Sequence, residues 1–483
     1  MNHRNPRSRQ IVLLLLVPLI VLGSGCAANS LQLKSPDSPC QDLVKRLVRG
    51  IDKSNVSDVQ AQSIKGFPLF RVDRFHASAS DQDLVTDFAK HQWLEGLAEL
   101  GSEGLLLETA RLPANKRPAK PEQIKRCVAQ RSSQILADSE LFAELRASAK
   151  VPDNYSRTKQ VVGLYALTSW PVKRGVAAWH EESAERYAVD MRRWASEFPV
   201  KLYQPDIRDP TTLDATGGDS DMWLAHAPQL LVQQQKQDQV GRFVRVGNEI
   251  QFDSSESAAY VMKSKTRFQG EVLEQLNYLF WMEGRAASSA TDILAGKLDG
   301  LIWRVTLDTD GEPLIYDSIH PCGCYHLFFP TERLGRKIKP PKREPALIPQ
   351  IFLAPLVNPL IRVSTTSHYI EGVSTTNKRD PSQWKANSQR YKFVPYSQLR
   401  AMGKPDQVAV SLFNNKGLVD ETQRLERFLL WMSGIKSPGA MRQWGHHATA
   451  FFGRRHFDDA DLLDSEFCRV GAADCMPMKT TFD

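Results

Sequence analysis

Several signatures are missing from this sequence, and each absence removes a class of chemistry. There is no G-x-S-x-G elbow, no G-x-x-x-x-G-K-S/T phosphate loop and no G-x-G-x-x-G after a predicted strand. The α/β-hydrolase, P-loop and dinucleotide readings therefore have no motif to stand on. His180-Glu181 opens a predicted helix, but a zinc-protease helix needs a second imidazole one turn later, and Ala184 stands there. Asp214-Ala-Thr-Gly-Gly-Asp-Ser-Asp221 misses the spacing of a calcium loop and Asp308-Thr-Asp-Gly311 misses its downstream Glu. Both read as turns. A large charge excess is missing as well: 62 Lys and Arg against 55 Asp and Glu leave +7, too mild to make nucleic acid an expected partner.

What is present begins at the N-terminus. His3, Arg4, Arg7 and Arg9 precede an apolar run from Ile11 to Leu22, broken by Pro18 and followed by Gly23-Ser24-Gly25-Cys26. A basic head, a short apolar core and small residues make a secretory signal, and the core is too short to span a bilayer as a helix. Cys26 after small residues resembles a bacterial lipobox, in which the thiol is acylated and becomes the new N-terminus. Here Leu22 stands four residues before the Cys rather than three. The alternative is ordinary secretion with cleavage near Ala27 or Ala28. Ala27, with no Asp at that position, resembles the pattern sorted to the outer membrane of a two-membrane bacterium. The expectation is a signal peptide at 1–25, a lipid (palmitate) on Cys26, a polar tether over 26–39, and a lipoprotein facing the periplasm whose membrane contact is the lipid. Cleavage before Cys26 removes three arginines and leaves 458 residues with a formal charge of +4.

Six cysteines remain: Cys40, Cys127, Cys322, Cys324, Cys468 and Cys475. In an oxidising envelope an even count points to disulfides. Cys468 and Cys475, closing a short loop around Gly471, are the first expected pair.

Along the chain, helical spacing recurs in Gln41–Ile51, Asp81–Leu107, Ala129–Lys150 and Val176–Phe198, with Phe67–Val72 a short strand. A mainly helical domain over 40–228 is expected. Gln229–Gln239, rich in glutamine, reads as a polar helix or linker. After it a mixed α+β domain is expected over 240–483, with antiparallel strands packed on helices near 256–285 and 420–433. Arg242–Val246 and Glu249–Phe252 read as a hairpin around Gly247-Asn248. Leu301–Leu307 and Glu312–Ile319 form another around Asp308–Gly311. Ile351–Val357 and Leu360–Thr366 read as strands, the second extended by His368–Val373. Asp420-Glu-Thr-Gln423 resembles a capping box, and Trp444–Gly453 reads as a strand. The basic loop Thr331–Pro345 is a solvated face, or one that meets anionic lipid headgroups.

The densest chemistry lies in Asp317–Pro330, where His320, Cys322, Cys324 and His326 fall at alternate positions. On an unbroken strand the outer histidines would stand about 20 Å apart, too far to share one ion, but Pro321 and Gly323 permit a bend. Four readings stay open. They are a structural disulfide using at least one of Cys322 and Cys324, a soft-metal site for Zn or Cu, a redox or nucleophilic thiol paired with His326, and plain packing. The candidate metal ligands are Cys322, Cys324, His326, His320, His368, His447 and His456, with His446 beside them. The functional expectation is a lipid-anchored cell-envelope protein with a binding or maintenance role. Its alternatives are a metal-dependent periplasmic hydrolase and a purely structural, disulfide-stabilised lipoprotein.

Overall fold

The computed structural model describes residues 39–207, 220–375, 387–404 and 407–481. The expected signal peptide, Cys26, nearly all of the tether and most of the turn at Asp214–Asp221 lie outside them. From Asp37 onward the chain makes one compact unit.

The first helices pack on a short hairpin. Helix α1 (Pro39–Ser54) buries Leu43, Val44, Leu47 and Ile51, a stripe at helical spacing. These side chains share a core with β1 (Gln62–Ile64), β2 (Phe67–Val72), α3 (Asp87–Ala110), α4 (Pro121–Ala137) and α5 (Ser139–Ser148), and a single turn, α2 (Arg74–Ala77), follows β2. Thr86 caps α3 by accepting the Ala89 N–H. Cys40 and Cys127 form a disulfide that ties α1 to α4. Three further helices follow: α6 (Arg157–Val162), α7 (Tyr165–Ala188), which contains Pro171, and α8 (Met191–Glu197).

A large mixed sheet holds the remaining core. One side is an antiparallel meander of β7 (Ser257–Phe268), β8 (Glu271–Arg285), β9 (Gly296–Leu307), β10 (Pro313–Ile319) and β11 (Leu327–Pro330). Beyond β7 the order continues through β15 (Ser388–Pro395), β3 (Val200–Pro205), β4 (Gln229–Gln233), β13 (Pro359–Val363) and β14 (Ile370–Thr375). The joins β7–β15, β15–β3 and β4–β13 are parallel. A hairpin of β5 (Val240–Val246) and β6 (Glu249–Asp253) branches from β8. A small separate sheet pairs β12 (Leu334–Lys337) with β16 (Phe467–Arg469) and β17 (Cys475–Met476), the last two joined by the expected Cys468–Cys475 disulfide.

The sheet curls until its two edges nearly meet. The segment 347–352 bridges them: Leu347 and Phe352 pair with Leu327 and Thr331 on the β11 side, while the Gln350 side chain exchanges two hydrogen bonds with the Val373 backbone in β14. Alternate residues fill the concave side, among them Tyr278, Phe280 and Met282 of β8 and Leu301, Trp303 and Val305 of β9. The intervening Leu279, Trp281 and Ile302 face an outer layer built by the irregular C-terminal segment.

Burial on both faces explains the main departure from the sequence reading. The run 256–285 is β7 and β8, not a helix. A strand covered on both sides reads as a continuous apolar run, so period does not distinguish it from a buried helix. The reversal sits at Gln269-Gly270, with φ of +52° and +84°, the conformation of a tight hairpin turn. Gln229–Gln233 is likewise a buried strand rather than a linker. Residues 370–375 do not extend β13 but return antiparallel to it. The helix expected near 420–433 is reduced to Arg427–Leu430 with a 3-10 turn after it, and Asp420 accepts from Asn414 instead of capping. Trp444–Gly453 is irregular, with one bridge between Ala448 and His456, and residues 351–357 hold only the bridge at Phe352. Both expected hairpins form, as β5–β6 and β9–β10.

Candidate functional site

At one end of the curled sheet four side chains form a buried line: Asp238, His368, Asp299 and His320. Asp299 stands on the concave side of β9, and His320 follows the last residue of β10. His368 precedes β14, and Asp238 lies between β4 and β5. Asp238 Oδ1 contacts His368 Nε2 at 3.0 Å, and the other ring nitrogen, Nδ1, contacts Asp299 Oδ2 at 3.2 Å. Asp299 Oδ1 is 3.1 Å from His320 Nδ1 and also accepts the Gly300 N–H at 2.9 Å. Arg424 adds a cation 3.3 Å from Asp299 Oδ2. Asp238 is held in turn by the Thr366 and Gln235 N–H groups and the Thr365 hydroxyl.

The charges follow from these partners. Burial works against an ionised Asp299, yet Arg424, His320 and His368 together hold its carboxyl well below the usual range. Burial alone would lower His368, but hydrogen bonds to Asp238 and Asp299 more than offset it and raise its pKa. For His320 burial wins over the attraction of Asp299, and the pKa falls. Both ring nitrogens of His368 face carboxylate oxygens, an arrangement that calls for a proton on each, while the lowered pKa of His320 favours its neutral form. A neutral His320 that donates Nδ1–H to Asp299 carries its lone pair on Nε2, the nitrogen left for the pocket.

That pocket is small. Trp179, Arg186, His320, Tyr325 and Tyr369 are among its walls, and its free interior of about 10 Å³ is of the order that holds one water molecule. Helix α7 covers it, contributing Trp179, Ser183, Arg186 and Tyr187. Tyr325 and Tyr369 meet edge to face at 4.5 Å, and His320 lies 4.8 Å from Tyr325. The Arg186 guanidinium sits 4.6 Å from the Tyr369 ring centre and that of Arg285 5.7 Å from it. Nε and Nη1 of Arg285 are buried without a hydrogen-bond partner among the described residues. Buried donors of this kind are costly unless a ligand or water uses them.

Backbone strain gathers at the same place. Leu298, Tyr325, Thr366 and His368 have φ of +54°, +61°, +61° and +54°, a region that disfavours side chains by on the order of 1 kcal/mol or more each. All four flank or belong to the line of four or the pocket wall.

The expected metal ligands do not gather at one point. Among the described residues no three His, Cys, Asp or Glu side chains are placed to hold a metal ion. The bend at Pro321–Gly323 forms, with His320 N–H donating to the Cys324 carbonyl at 3.0 Å and Gly323 N–H to that of His320 at 2.8 Å. It turns His320 into the pocket but packs Cys322 and Cys324 into the outer apolar layer. Both cysteines are free and buried, so a disulfide using at least one of them, and with it the third bridge of a purely structural reading, is not realised among the described residues. The hydrogen bond from Cys324 lowers the Cys322 pKa and raises its own. His326 re-enters β11's approach, 2.9 Å from Asp317 and stacked on Phe328, and burial pushes its pKa to about 3. It pairs with neither thiol. His447 is buried near Trp444 and Phe457, while His446 contacts the Val59 carbonyl at 2.7 Å. His456 lies between Asp153 and Asp459 at 3.4 and 3.2 Å.

Sequence reasoning named His320 and His368 as ligands but missed Asp238, Asp299, Arg424, Arg285, Tyr325 and Tyr369. Asp299-Gly300 inside an apolar strand was the one local signal, since a lone carboxylate on a concave face demands a partner. No protein-family model, curated protein or solved structure matches this chain.

Proposed function

We propose that the chain is a lipid-anchored hydrolase of the cell envelope in which His320 is the general base. The observation that carries the reading is the line Asp238–His368–Asp299–His320 ending at a pocket lined by aromatic side chains and Arg186. Asp299 fixes the tautomer of His320, and His368 with Asp238 holds Asp299 in place; these three are positioning residues.

In the proposed step a water gives its proton to His320 Nε2 while its oxygen bonds to the electrophilic carbon or phosphorus of an ester. The ester oxygen leaves as its bond breaks and takes the proton back from His320. The guanidinium of Arg186, which lines the pocket and is also paired with Glu182 at 2.9 Å, suits the negative charge that develops on the attacked group. The test is hydrolysis of short-chain acyl and phosphate esters of p-nitrophenol by the wild type and His320→Gln. A loss of at least about 10²-fold, the usual worth of a general base, supports the reading. Equal rates sink it, as does full activity confined to metal-loaded protein bearing intact Cys322 and Cys324.

A further inference from the structure

The helix that covers the pocket also carries part of an exposed apolar surface. Val161 and Val162 of α6, Trp170 of α7, and Leu425, Phe428 and Leu429 around the turn 427–430 are 55 to 68 % exposed. Large side chains exposed together mark an interaction surface. Their elements are in contact. Gln160 Nε2 donates to the Ser433 carbonyl at 2.9 Å and Ser156 N–H to that of Gly434 at 2.7 Å, while α6 and α7 both pack on the 3-10 turn Trp431–Ser433.

The charge around most of this patch is basic. Residues 157–174 and 427–442 contain no Asp or Glu, and Arg157, Lys173, Arg174, Arg427 and Lys436 are exposed, while Glu426 beside Leu425 is buried and Glu421 is paired with Lys297. Arg174 lies 3.6 Å from the Trp170 ring and Arg427 4.7 Å from that of Phe428. Aromatic tips with guanidinium groups laid over them suit the boundary between acyl chains and headgroups. A basic rim around an apolar centre complements an anionic bilayer rather than a neutral one. Among the described residues no helix is long and apolar enough to cross a membrane, so the contact is with the surface.

We propose that this patch docks on an anionic phospholipid surface and that docking lifts α7 from the pocket, so the substrate is an ester-bearing amphiphile taken from that surface. The substrate class rests on the hydrolase reading; the docking does not. Pro171 supplies the mechanical division, because it gives no N–H to the preceding turn and weakens the helix there. Trp170 stands on one side of it, and Trp179, Ser183, Arg186 and Tyr187 cover the pocket on the other. A pocket with room for about one water admits an ester only while this cover is open, a state that the free chain reaches transiently and that docking favours.

The test uses the mature chain from residue 26 with Cys26→Ser, so that neither an acyl group nor the apolar run Ile11–Leu22 contributes, and its Trp170→Asp/Phe428→Asp variant. Neither position lines the pocket. Sedimentation with phosphatidylglycerol vesicles is expected to show at least tenfold weaker binding of the variant, and phosphatidylcholine vesicles should bind both poorly. In parallel, diethyl pyrocarbonate labelling of His320 is followed by mass spectrometry, with buried His326 as internal control. Anionic vesicles should speed His320 labelling several-fold in the parent and not in the variant. Equal vesicle binding by the two chains overturns the docking surface, and binding without faster His320 labelling overturns the coupling to α7. Either failure would leave the His320 dependence of soluble-ester hydrolysis intact. Loss of that dependence alone would sink the hydrolase reading and leave vesicle binding unchanged.

Discussion

Replacing Asp299 by Asn keeps the shape of the side chain and removes its charge, which isolates the role of the central carboxylate. Asp299 is fully buried and faces two cations, the Arg424 guanidinium at 3.3 Å and the His368 imidazolium at 3.2 Å. Leaving a buried cation without its partner costs about 3–5 kcal/mol. Asp299→Asn should lower stability by that order. Arg424→Met alone should cost less, about 1.5–3 kcal/mol, because Asp299 keeps His368 and the Gly300 N–H. In the double variant the thioether that replaces the guanidinium no longer needs a carboxylate, so the losses should fall short of their sum by about 2 kcal/mol or more. Urea unfolding followed by tryptophan fluorescence reports this, since Trp281 and Trp303 are fully buried. Additivity within about 0.5 kcal/mol would refute a charged Asp299–Arg424 contact.

Further outcomes follow from other buried groups. His326, held near a pKa of about 3 against an ordinary 6.5, takes a proton more readily in the unfolded chain. Its stability contribution is therefore complete above about 6.5 and lost as pH falls toward 3, with a slope of up to about 1.4 kcal/mol per pH unit that His326→Phe should remove. His456 has the opposite sign: Asp153 and Asp459 raise its pKa against burial, so its contribution is present below the ordinary value and disappears as pH rises through the folded one. His456→Gln should flatten the alkaline limb of the stability profile and leave the acid limb unchanged. Removing the Cys40–Cys127 disulfide, with a sequence separation of 87, should cost more than removing Cys468–Cys475, separated by 7. Chain entropy puts the two at about 4–5 and 2–3 kcal/mol, and denaturant midpoints of the paired Cys→Ser variants would show any reversal. Non-reducing peptide mapping should recover Cys322 and Cys324 unbridged, and a Cys322-containing cystine would contradict the packing described.

Local pattern made much of the fold legible, and long-range contact hid the rest. The helices around α1 and α3, the hairpin at Asp308–Gly311 and the Cys468–Cys475 pair all announce themselves through spacing or turn residues within a short window. The β7–β8 hairpin did not, because its apolar residues occupy both faces and its turn, Gln269-Gly270, is a weak signal beside thirty residues of helix-compatible sequence. The candidate site was half visible. The density of His and Cys drew attention to 317–330, and the bend at Pro321–Gly323 is real. Which donor would face which partner depends on the loop before β14 reaching Asp299 of β9, and nothing in either segment records the other. From sequence His320 therefore reads as a metal ligand, whereas its partner in the fold is Asp299, twenty-one residues earlier.

The protonation pattern of the four-residue line is the most direct test of this account. Histidine-selective ¹⁵N NMR of the intact chain at neutral pH should show His320 neutral with the proton on Nδ1 and His368 carrying both protons, and Asp299→Asn should change both signals. A neutral His368, or a His320 that is charged or protonated on Nε2, would contradict it.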